Sequence, residues 1–382
     1  MSSLSQIAQQ FADGNPVISV RPLGNGNINS TFLVTLAEPP PMSVAPASKA
    51  TQKFVLQRIN AQVFRQPELV IRNMVVLSEH LQNHPDPLPR RWETPAILPA
   101  RSGENYWLDE TGQYWRAISF IEGSQTLETV QDIDHAREVG YGLAMFHRLI
   151  STLDADSLAD TLEGFHITPQ YLAEYERVLD TREDLKKKKS PDEDEQIHHC
   201  LDFVAQRQAW AHVLEKAKAS GALKLRPIHG DPKVNNILIG DNGQAVSLID
   251  LDTLKPGLVH YDIGDCLRSG CNRLGEETTD WQSVVFDIDL ARAMLQGYLS
   301  LAKDFLTDQD YDYLYDGIRL ITFELGLRFF TDYLANNVYF KVKHPRHNLT
   351  RALVQFKLTE SIEQQAETLK SIIQNLRVEA SA

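Results

Sequence analysis

The stretch RPIHGDPKVNNILIGDNGQAVSLIDLDT, residues 226–253, sets carboxylate and amide side chains beside two short apolar runs. Its Gly-Asp-Asn-Gly segment at 240–243 is typical of a tight turn that joins two strands into a hairpin. Such a hairpin would bring the outer ends of both apolar runs to one edge. Because a carboxylate is costly to bury unless a cation meets it, the stretch predicts a site for a metal ion or another cation there.

Three side chains of this stretch match what phosphoryl transfer asks of a protein, which is mainly positioning and the neutralisation of charge. Asp231 is suited to accept the proton of an attacking hydroxyl group. Asn236 and Asp250, at the outer ends of the two apolar runs, offer the hard oxygen atoms that Mg²⁺ prefers. Asp252 shares a strand face with Asp250, so it is either a rival or second metal ligand or an ordinary turn acceptor.

Two further residues complete the pattern. We expect His229 to orient the loop through hydrogen bonds and Lys233 to reach the transferred phosphate. The order of His-x-Asp, then Asn, then a later metal-binding Asp matches the catalytic loop of kinases. Asp and Asn are common turn residues, but their combination with two apolar strands is specific. The stretch therefore predicts a kinase-type catalytic loop.

The rest of the chain changes in character near its first third. Residues 17–120 contain β-branched and aromatic runs bounded by Gly, Pro or Asn, which predict strands, and one helical segment at 66–82. After Gly123 most segments have apolar residues at helical spacing. We predict an α+β protein of two lobes: a small antiparallel-sheet lobe at 1–121 that binds nucleotide, and a larger, mainly helical lobe at 122–382 with the catalytic loop, metal site and acceptor site.

The composition narrows the range of partners. The net charge of −13, from 38 Lys and Arg against 51 Asp and Glu, disfavours nucleic acid and anionic membranes. No apolar run reaches the ~20 residues of a membrane span, and the first residues lack the basic and apolar regions of a signal peptide. Cys200, Cys266 and Cys271 have no CxxC spacing, as is typical of free thiols in a reducing compartment. We expect a cytoplasmic monomer or homodimer that acts on a small molecule.

Several motifs resemble those of a known family. His-Gly-Asp at 229–231 and Asp-x-Asp at 250–252 resemble the aminoglycoside phosphotransferase and choline kinase family, which differs in this way from the His-Arg-Asp and Asp-Phe-Gly of protein kinases. Further segments look like the branch of that family that contains N-acetylhexosamine 1-kinase, among them GNGNINSTFLV at 24–34 and ELGLRFFTDYLANNVYFKV at 324–342.

The resemblance implies a two-lobed protein-kinase-like fold, ATP as the phosphate donor and Mg²⁺ as the metal. It makes Asp231 the catalytic base, and Asn236 and Asp250 the Mg²⁺ ligands. The implied acceptor is a hexosamine-type sugar, phosphorylated at its anomeric hydroxyl. Asp262 and Asp265 of YDIGD are expected to cap a helix and hold the loop.

The nucleotide would lie against the first lobe. Kinases keep a Gly-rich loop over the phosphates between two strands. The segment GNGN occupies that place here and consists of Gly24, Asn25, Gly26 and Asn27. The same segment also suits an ordinary hairpin turn. Asn29 stands where a third glycine would be, and it is a candidate substrate contact. The hinge that holds adenine is expected at Phe120 and Ile121, which equally suit a plain core.

One position departs from the kinase pattern. FVLQR at 54–58 aligns with the strand that carries a phosphate-gripping lysine in kinases. Gln57 takes the lysine position, and Arg58 points to the opposite face of the strand. Either Gln57 makes a neutral contact or a bulge turns Arg58 inward. This departure suggests an alternative function, a kinase-like nucleotide-binding regulator without catalysis.

The acceptor is expected near the helices of the second lobe. By resemblance, Arg328 and Tyr339 are the expected substrate contacts, and Asp332 is a weaker candidate. The alternative for Arg328 is an ion pair with Glu324, one helical turn away. A further alternative keeps the fold and changes the acceptor to an aminoglycoside, a choline-like alcohol or homoserine.

Overall fold

The computed structural model describes residues 3–24, 28–37, 53–84, 88–182 and 195–381. Three residues of the predicted phosphate loop, Asn25, Gly26 and Asn27, lie outside these ranges. Within the ranges, no helix combines the length and the apolar character that crossing a membrane requires.

An antiparallel sheet of six strands forms the first lobe. The strands are β1 (Val17–Pro22), β2 (Ser30–Leu36), β3 (Lys53–Arg58), β4 (Ile97–Leu98), β5 (Trp107–Leu108) and β6 (Tyr114–Ser119). Their order is β1-β2-β3-β6-β4, and β5 pairs with β6 off this path. The short helix α1 (Leu4–Ala8) joins the apolar core on one side of the sheet, which also contains Phe54, Leu56, Trp115 and Ala117.

Helix α2 (Pro67–Asn83) packs beside the sheet. Pro67 stands in its first turn, where the missing backbone N–H costs no hydrogen bond. The buried positions recur at helical spacing and include Val70, Ile71, Met74 and Leu77. The side-chain nitrogen of Asn73 donates to the carbonyl oxygens of Ala159 and Leu254, both at 2.8 Å. These bonds tie α2 to the second lobe.

The second lobe begins after residues 120–123. β7 (Ser124–Gln125) pairs with β9 (Ile237–Gly240), β9 with β10 (Ala245–Leu248), and β8 (Arg226–Ile228) with β11 (Lys255–Gly257), all antiparallel. The helices are α3 (Ile133–Ile150), α4 (Thr168–Asp180), α5 (Glu195–Arg207), α6 (Val213–Ala219), α7 (Val259–Gly270), α8 (Ile288–Ala302), α9 (Asp308–Asp312), α10 (Leu314–Leu334), α11 (His347–Gln364) and α12 (Ala366–Ser381).

Two glycines let α3 and α8 approach closely. A Cβ atom at Gly140 of α3 would lie 1.9 Å from the carbonyl oxygen of Met294, and one at Gly297 of α8 would lie 1.9 Å from that of Arg137. Atoms do not approach so closely, so each position accepts only a hydrogen atom. The helix pair at the centre of the second lobe therefore depends on glycine at both sites.

The predicted fold class, an α+β protein with an antiparallel-sheet lobe and a larger helical lobe, is confirmed by this architecture. The predicted hairpin is β9–β10, and Gly243 in its turn has a φ of +78°. The predicted division after Ile121 falls between β6 and β7. Both apolar runs of the stretch 226–253 are therefore strands, as its pattern predicts.

Candidate active site

The loop after β8 carries His229, Gly230 and Asp231. Gly230 has a φ of +88°, and a Cβ atom there would lie 2.6 Å from the carbonyl oxygen of Thr253. Only glycine satisfies both conditions without strain. The glycine therefore lets the loop turn sharply against the chain segment that follows β10.

Asp262 of α7 holds this loop by its backbone. Its Oδ2 accepts from the N–H of His229 at 2.7 Å, and its Oδ1 from the N–H of Gly230 at 2.8 Å. His147 contacts Oδ2 at 2.8 Å. Burial alone would raise the pKa of Asp262, but the hydrogen bond and charge of His147, together with the bond from Gly230, hold it below its usual value. The carboxylate is thus an ionised anchor that holds the loop, as expected, but it lies within α7 and does not cap that helix.

His229 connects the loop at 229–231 to the end of β10. Its Nδ1 accepts from the N–H of Asp231 at 3.2 Å, so its Nε2 carries the proton and donates to the carbonyl oxygen of Ile249 at 2.8 Å. Burial lowers the pKa of His229, which keeps the ring neutral. One imidazole therefore sets Asp231 relative to the residue that precedes Asp250.

Asp231 lies beside Lys233 and Asn236. The ammonium of Lys233 is 2.9 Å from Oδ2 of Asp231, whose side chain is 29% exposed. The Asn236 side chain donates to the carbonyl oxygen of Asp231 at 2.8 Å, and the N–H of Ile249 donates to the carbonyl oxygen of Asn236 at 2.8 Å. The charge of Asp231 raises the pKa of Lys233, so the ion pair is kept.

Asp250 has an unusual environment. Its φ of +66° puts it in the left-handed region, which few residues with a side chain adopt, although Asp is among those that do. Partial loss of hydration, followed by the negative charges of Asp252 and Asp231, raises the pKa of Asp250 to about 7. Among the described residues, none donates a hydrogen bond to its carboxylate. The group is held in place, partly open to solvent, without a cation of its own.

This arrangement fits a magnesium ion. Mg²⁺ is commonly bound through one or two protein oxygen ligands together with phosphates and water, and Asp250 and Asn236 can provide two. The protein does not supply a complete set of metal ligands by itself: in the part of the chain that the structure describes, no three His, Cys, Asp or Glu side chains are grouped to hold a metal. The donor set therefore suits a metal that arrives with phosphate.

Asp252 is already occupied by protein groups. One of its oxygens pairs with the guanidinium of Arg116, and the other accepts from the side-chain amide of Asn29. Arg116 donates in turn to the side-chain oxygen of Gln57, at 3.0 Å from Nε and 2.7 Å from Nη2. The four side chains form one network between the sheet and the segment after β10, in which Asn29 is half-buried and the other three are buried.

Arg58 lies on the other side of its strand. β3 pairs with β2 over Lys53–Arg58 and with β6 over Phe54–Arg58, both without a shift in register. Arg58 is exposed and donates to the hydroxyl of Ser30 at 3.0 Å. The structure therefore has no bulge that would turn Arg58 inward, and the side chain of Gln57 contacts Arg116 and Thr31.

Of the two expected hinge residues, Phe120 has a charged neighbour and Ile121 has apolar ones. The ammonium of Lys53 lies 5.6 Å from the ring centre of Phe120. Ile121 is buried in a small cluster with Leu238 and Val246. Gly24, at the start of the predicted phosphate loop, has a φ of +68° and open space around it.

The guanidinium of Arg328 lies among four aromatic rings. Their centres are 5.0 to 5.9 Å away and belong to Phe165, Tyr171, Tyr339 and Phe340. Glu324 pairs with His166 at 3.0 Å rather than with Arg328. Among the described residues, no carboxylate pairs with Arg328. Tyr339 is 57% exposed, so the group has an open side.

Asp332 shapes the segment that carries Tyr339. Its Oδ1 accepts from the N–H groups of Val338 and Tyr339 at 2.9 and 2.8 Å. Its Oδ2 accepts from the N–H of Phe340 at 3.0 Å and the side chain of Asn348 at 2.9 Å. Both oxygens accept hydrogen bonds from protein donors, so Asp332 would affect a ligand indirectly, by positioning Tyr339.

Two parts of the site were missed by sequence reasoning. Arg116 sits in the run YWRAIS, where alternation indicates only that it faces away from Trp115 and Ala117. His166 donates to the carbonyl oxygen of Gly230 at 2.7 Å and contacts Glu324 on its other side. Neither residue belongs to a recognisable motif, and each meets the site only through folding.

Comparisons with known proteins agree with this geometry. Residues 19–303, more than half of the chain, match the phosphotransferase enzyme family, APH. Three solved structures are similar in fold. An aminoglycoside phosphotransferase from Alicyclobacillus acidocaldarius is 17% identical, with a TM-score of 0.60, over 100% of this chain and 97% of its own. A microcompartment-associated aminopropanol kinase is 18% identical, with a TM-score of 0.61, over 95% and 98%.

The third structure is a choline kinase from Cryptosporidium parvum, 14% identical, with a TM-score of 0.56, over 99% of both chains. These likenesses confirm the predicted two-lobed kinase-like fold, and the family match confirms the prediction of an enzyme of the phosphotransferase class. The chain therefore belongs to the APH phosphotransferase enzyme family.

Proposed function

We propose that the protein transfers the γ-phosphate of ATP to a hydroxyl group of a small molecule, with Mg²⁺ as cofactor. The observation that carries this proposal is the joint placement of Asp231, Asn236 and Asp250. His229 bonds to the N–H of Asp231 and to the carbonyl of Ile249, while Asn236 bonds to the backbone of both segments. The groups needed for proton transfer and for metal binding thus belong to one rigid unit.

Asp231 would accept the proton of the acceptor hydroxyl. Its side chain is partly exposed, and the ammonium of Lys233 lies 2.9 Å from its Oδ2. A general base must be within hydrogen-bond reach of the hydroxyl that it serves, and an exposed carboxylate on a fixed loop meets that need. Lys233, which stays protonated, is also available to a phosphate that passes Asp231.

Asn236 and Asp250 would hold the metal. When bound, Mg²⁺ neutralises the charge that spreads over the phosphate oxygens during transfer. The raised pKa of Asp250 and its carboxylate without a donor support this role. Asp252 is paired with Arg116, so its proposed part is to support the metal site rather than to bind the ion.

The surroundings of Arg328 favour an acceptor without positive charge. A cationic acceptor such as a choline-like alcohol needs aromatic walls together with acidic ones. Here the aromatic walls already enclose a guanidinium, which repels cations. The open side at Tyr339 suits a molecule with hydroxyl or acyl oxygens, so we propose a hexosamine-type sugar, phosphorylated at its anomeric hydroxyl. The choice of this sugar rests on the sequence resemblance.

A second acceptor class fits the same observation. A small hydroxy acid such as homoserine carries a carboxylate, which Arg328 would bind with two parallel hydrogen bonds. Aminoglycosides are polycations and fit less well. The acceptor class is therefore the part of the proposal that a screen must decide.

The test is an assay of ATP and GTP consumption with Mg²⁺ against N-acetylhexosamines, free hexosamines, homoserine, choline, aminopropanol and an aminoglycoside. We expect turnover with an N-acetylhexosamine, and ³¹P NMR spectroscopy of the product should show the phosphate on the anomeric oxygen. Asp231→Asn should abolish this turnover and leave nucleotide binding intact. Turnover retained by Asp231→Asn would refute the assignment of the base. Activity on homoserine alone would refute the sugar and leave the phosphotransfer standing.

A further inference from the structure

Gln57 occupies the strand position at which kinases carry their lysine, and it serves a neighbouring arginine. The Cα atoms of Gln57 and Arg116 are paired across β3 and β6. The side-chain oxygen of Gln57 accepts two hydrogen bonds from Arg116, while its nitrogen donates to the hydroxyl of Thr31 at 3.1 Å. Gln57 thus fixes the direction of the guanidinium and adds no charge of its own.

Arg116 is 1% exposed, and its charge needs a partner inside the protein. Helix α2, which passes beside it, presents the sulfur of Met74 at 3.2 Å, a weak acceptor without charge. The ionic partner is Asp252, which belongs to the second lobe. The ion pair therefore links the sheet to the segment after β10 rather than to α2.

The segment that Arg116 grips also contains Asp250. The hydroxyl of Thr253 donates to the carbonyl oxygen of His229 at 2.8 Å, and the hydroxyl of Thr161 donates to that of Asp252 at 2.9 Å. Asp250 is in the left-handed region, with a φ of +66°. Contacts that fix residues 251–253 are the ones that hold Asp250 in this conformation.

We propose that Arg116 is a positioning residue for the metal site: through Asp252 it holds Asp250 where it can bind Mg²⁺. The cation that kinases carry on the strand equivalent to β3 is supplied here by β6. This inference rests on the proposed function, because it takes Asp250 as a metal ligand. Since Arg116 is almost fully buried, it acts through Asp252 and makes no contact with phosphate.

The test measures ADP binding by calorimetry, with and without Mg²⁺, because ADP binds without turnover. Arg116→Met alone leaves Asp252 buried and unpaired, which threatens folding, so the main variant is Arg116→Met with Asp252→Asn. Removing both partners of a buried pair is often tolerated. The matched control is Arg207→Met with Glu363→Gln, which removes a 2.7 Å ion pair between α5 and α11, away from the site.

We expect the main variant to unfold near the wild-type temperature and to bind ADP alone with wild-type affinity. The gain in affinity that Mg²⁺ gives should fall by about ten- to a hundredfold, as is common when a group behind a metal ligand is lost. The control pair should keep the full gain. A main variant with the wild-type gain would overturn the proposal.

A second variant keeps a positive charge in the network. Gln57→Lys with Arg116→Gln moves the cation back to β3 within the same cross-strand pair, so Asp252 stays paired. It should recover a large part of the Mg²⁺-dependent gain in ADP affinity. A failure to recover it would contradict the claim that the charge has moved between strands. If the wild-type protein showed no Mg²⁺-dependent binding of ADP, the proposed function itself would fail, which is a distinct outcome.

Discussion

Replacing His166 with asparagine should destabilise the protein, and the loss should depend on pH. Nε2 of His166 faces the carbonyl oxygen of Gly230, and Nδ1 faces a carboxylate oxygen of Glu324. Both partners only accept hydrogen bonds, so the imidazolium, which donates from both nitrogens, satisfies them best. Burial alone would lower the pKa of His166, but the hydrogen bond and charge of Glu324 raise it above its usual value.

The size of the effect follows from the burial of both partners. Removing one member of a buried ion pair costs about 3–5 kcal/mol. We expect the lower end, because Glu324 would keep the hydrogen bond from the hydroxyl of Thr168 at 2.6 Å. The pKa of His166 in the folded state lies above the unfolded value of about 6.5, so its full contribution to the unfolding free energy is present below that pH. It is lost by up to about 1.4 kcal/mol per pH unit as the pH rises towards the folded-state pKa.

Urea unfolding from about pH 6 to pH 9 measures this difference between the wild type and His166→Asn. The matched control is His260→Asn. His260 is also buried and donates to the carbonyl oxygen of Asp310 at 2.9 Å, but burial lowers its pKa. Its contribution should therefore weaken on the acid side. Parallel stability curves for the wild type and His166→Asn above pH 6.5 would refute the reasoning.

Three further changes have defined outcomes. Gly230→Ala should remove most of the turnover, because its Cβ would lie 2.6 Å from the carbonyl oxygen of Thr253; steady-state kinetics with normal activity would contradict this. Arg328→Met should raise KM for the acceptor by about tenfold, the value of one hydrogen bond to a charged group, and leave KM for ATP unchanged; an equal rise in both would show a general defect. Gly297→Ala should lower the unfolding free energy by about 1–3 kcal/mol, because its Cβ would lie 1.9 Å from the carbonyl oxygen of Arg137; an unchanged melting temperature would speak against the close helix contact.

The geometry of the loop that carries Asp231 was predictable because its parts are close in sequence. Asp231, Asn236 and Asp250 all lie within one hairpin and its flanks, so their spacing in the chain nearly determines their spacing in space. The turn residues, the apolar runs and the polar ends all favour the same local structure. A local structure can be predicted from sequence when its local signals agree in this way.

The groups behind the loop could not be predicted in this way. Arg116 meets Gln57 only because β3 and β6 pair in one particular register, and many residues separate the two strands. Glu324 and Arg328 are spaced as a helical ion pair, yet His166 and Thr168 take the carboxylate, because all of them are buried together. Contacts of this kind depend on how whole elements pack, and no local pattern encodes them.

The neighbours of α2 have a consequence for regulation. Where a helix in this position offers a carboxylate to a lysine, moving the helix breaks an ion pair and switches the kinase off. Here Met74 faces the guanidinium, and Asn73 bonds to the carbonyl oxygens of Leu254 and Ala159. A partner that pushed on α2 would leave the ion pair between Arg116 and Asp252 in place, so we expect no regulation of this kind through α2. Amide hydrogen exchange in α2 should accordingly be equally slow with and without bound nucleotide.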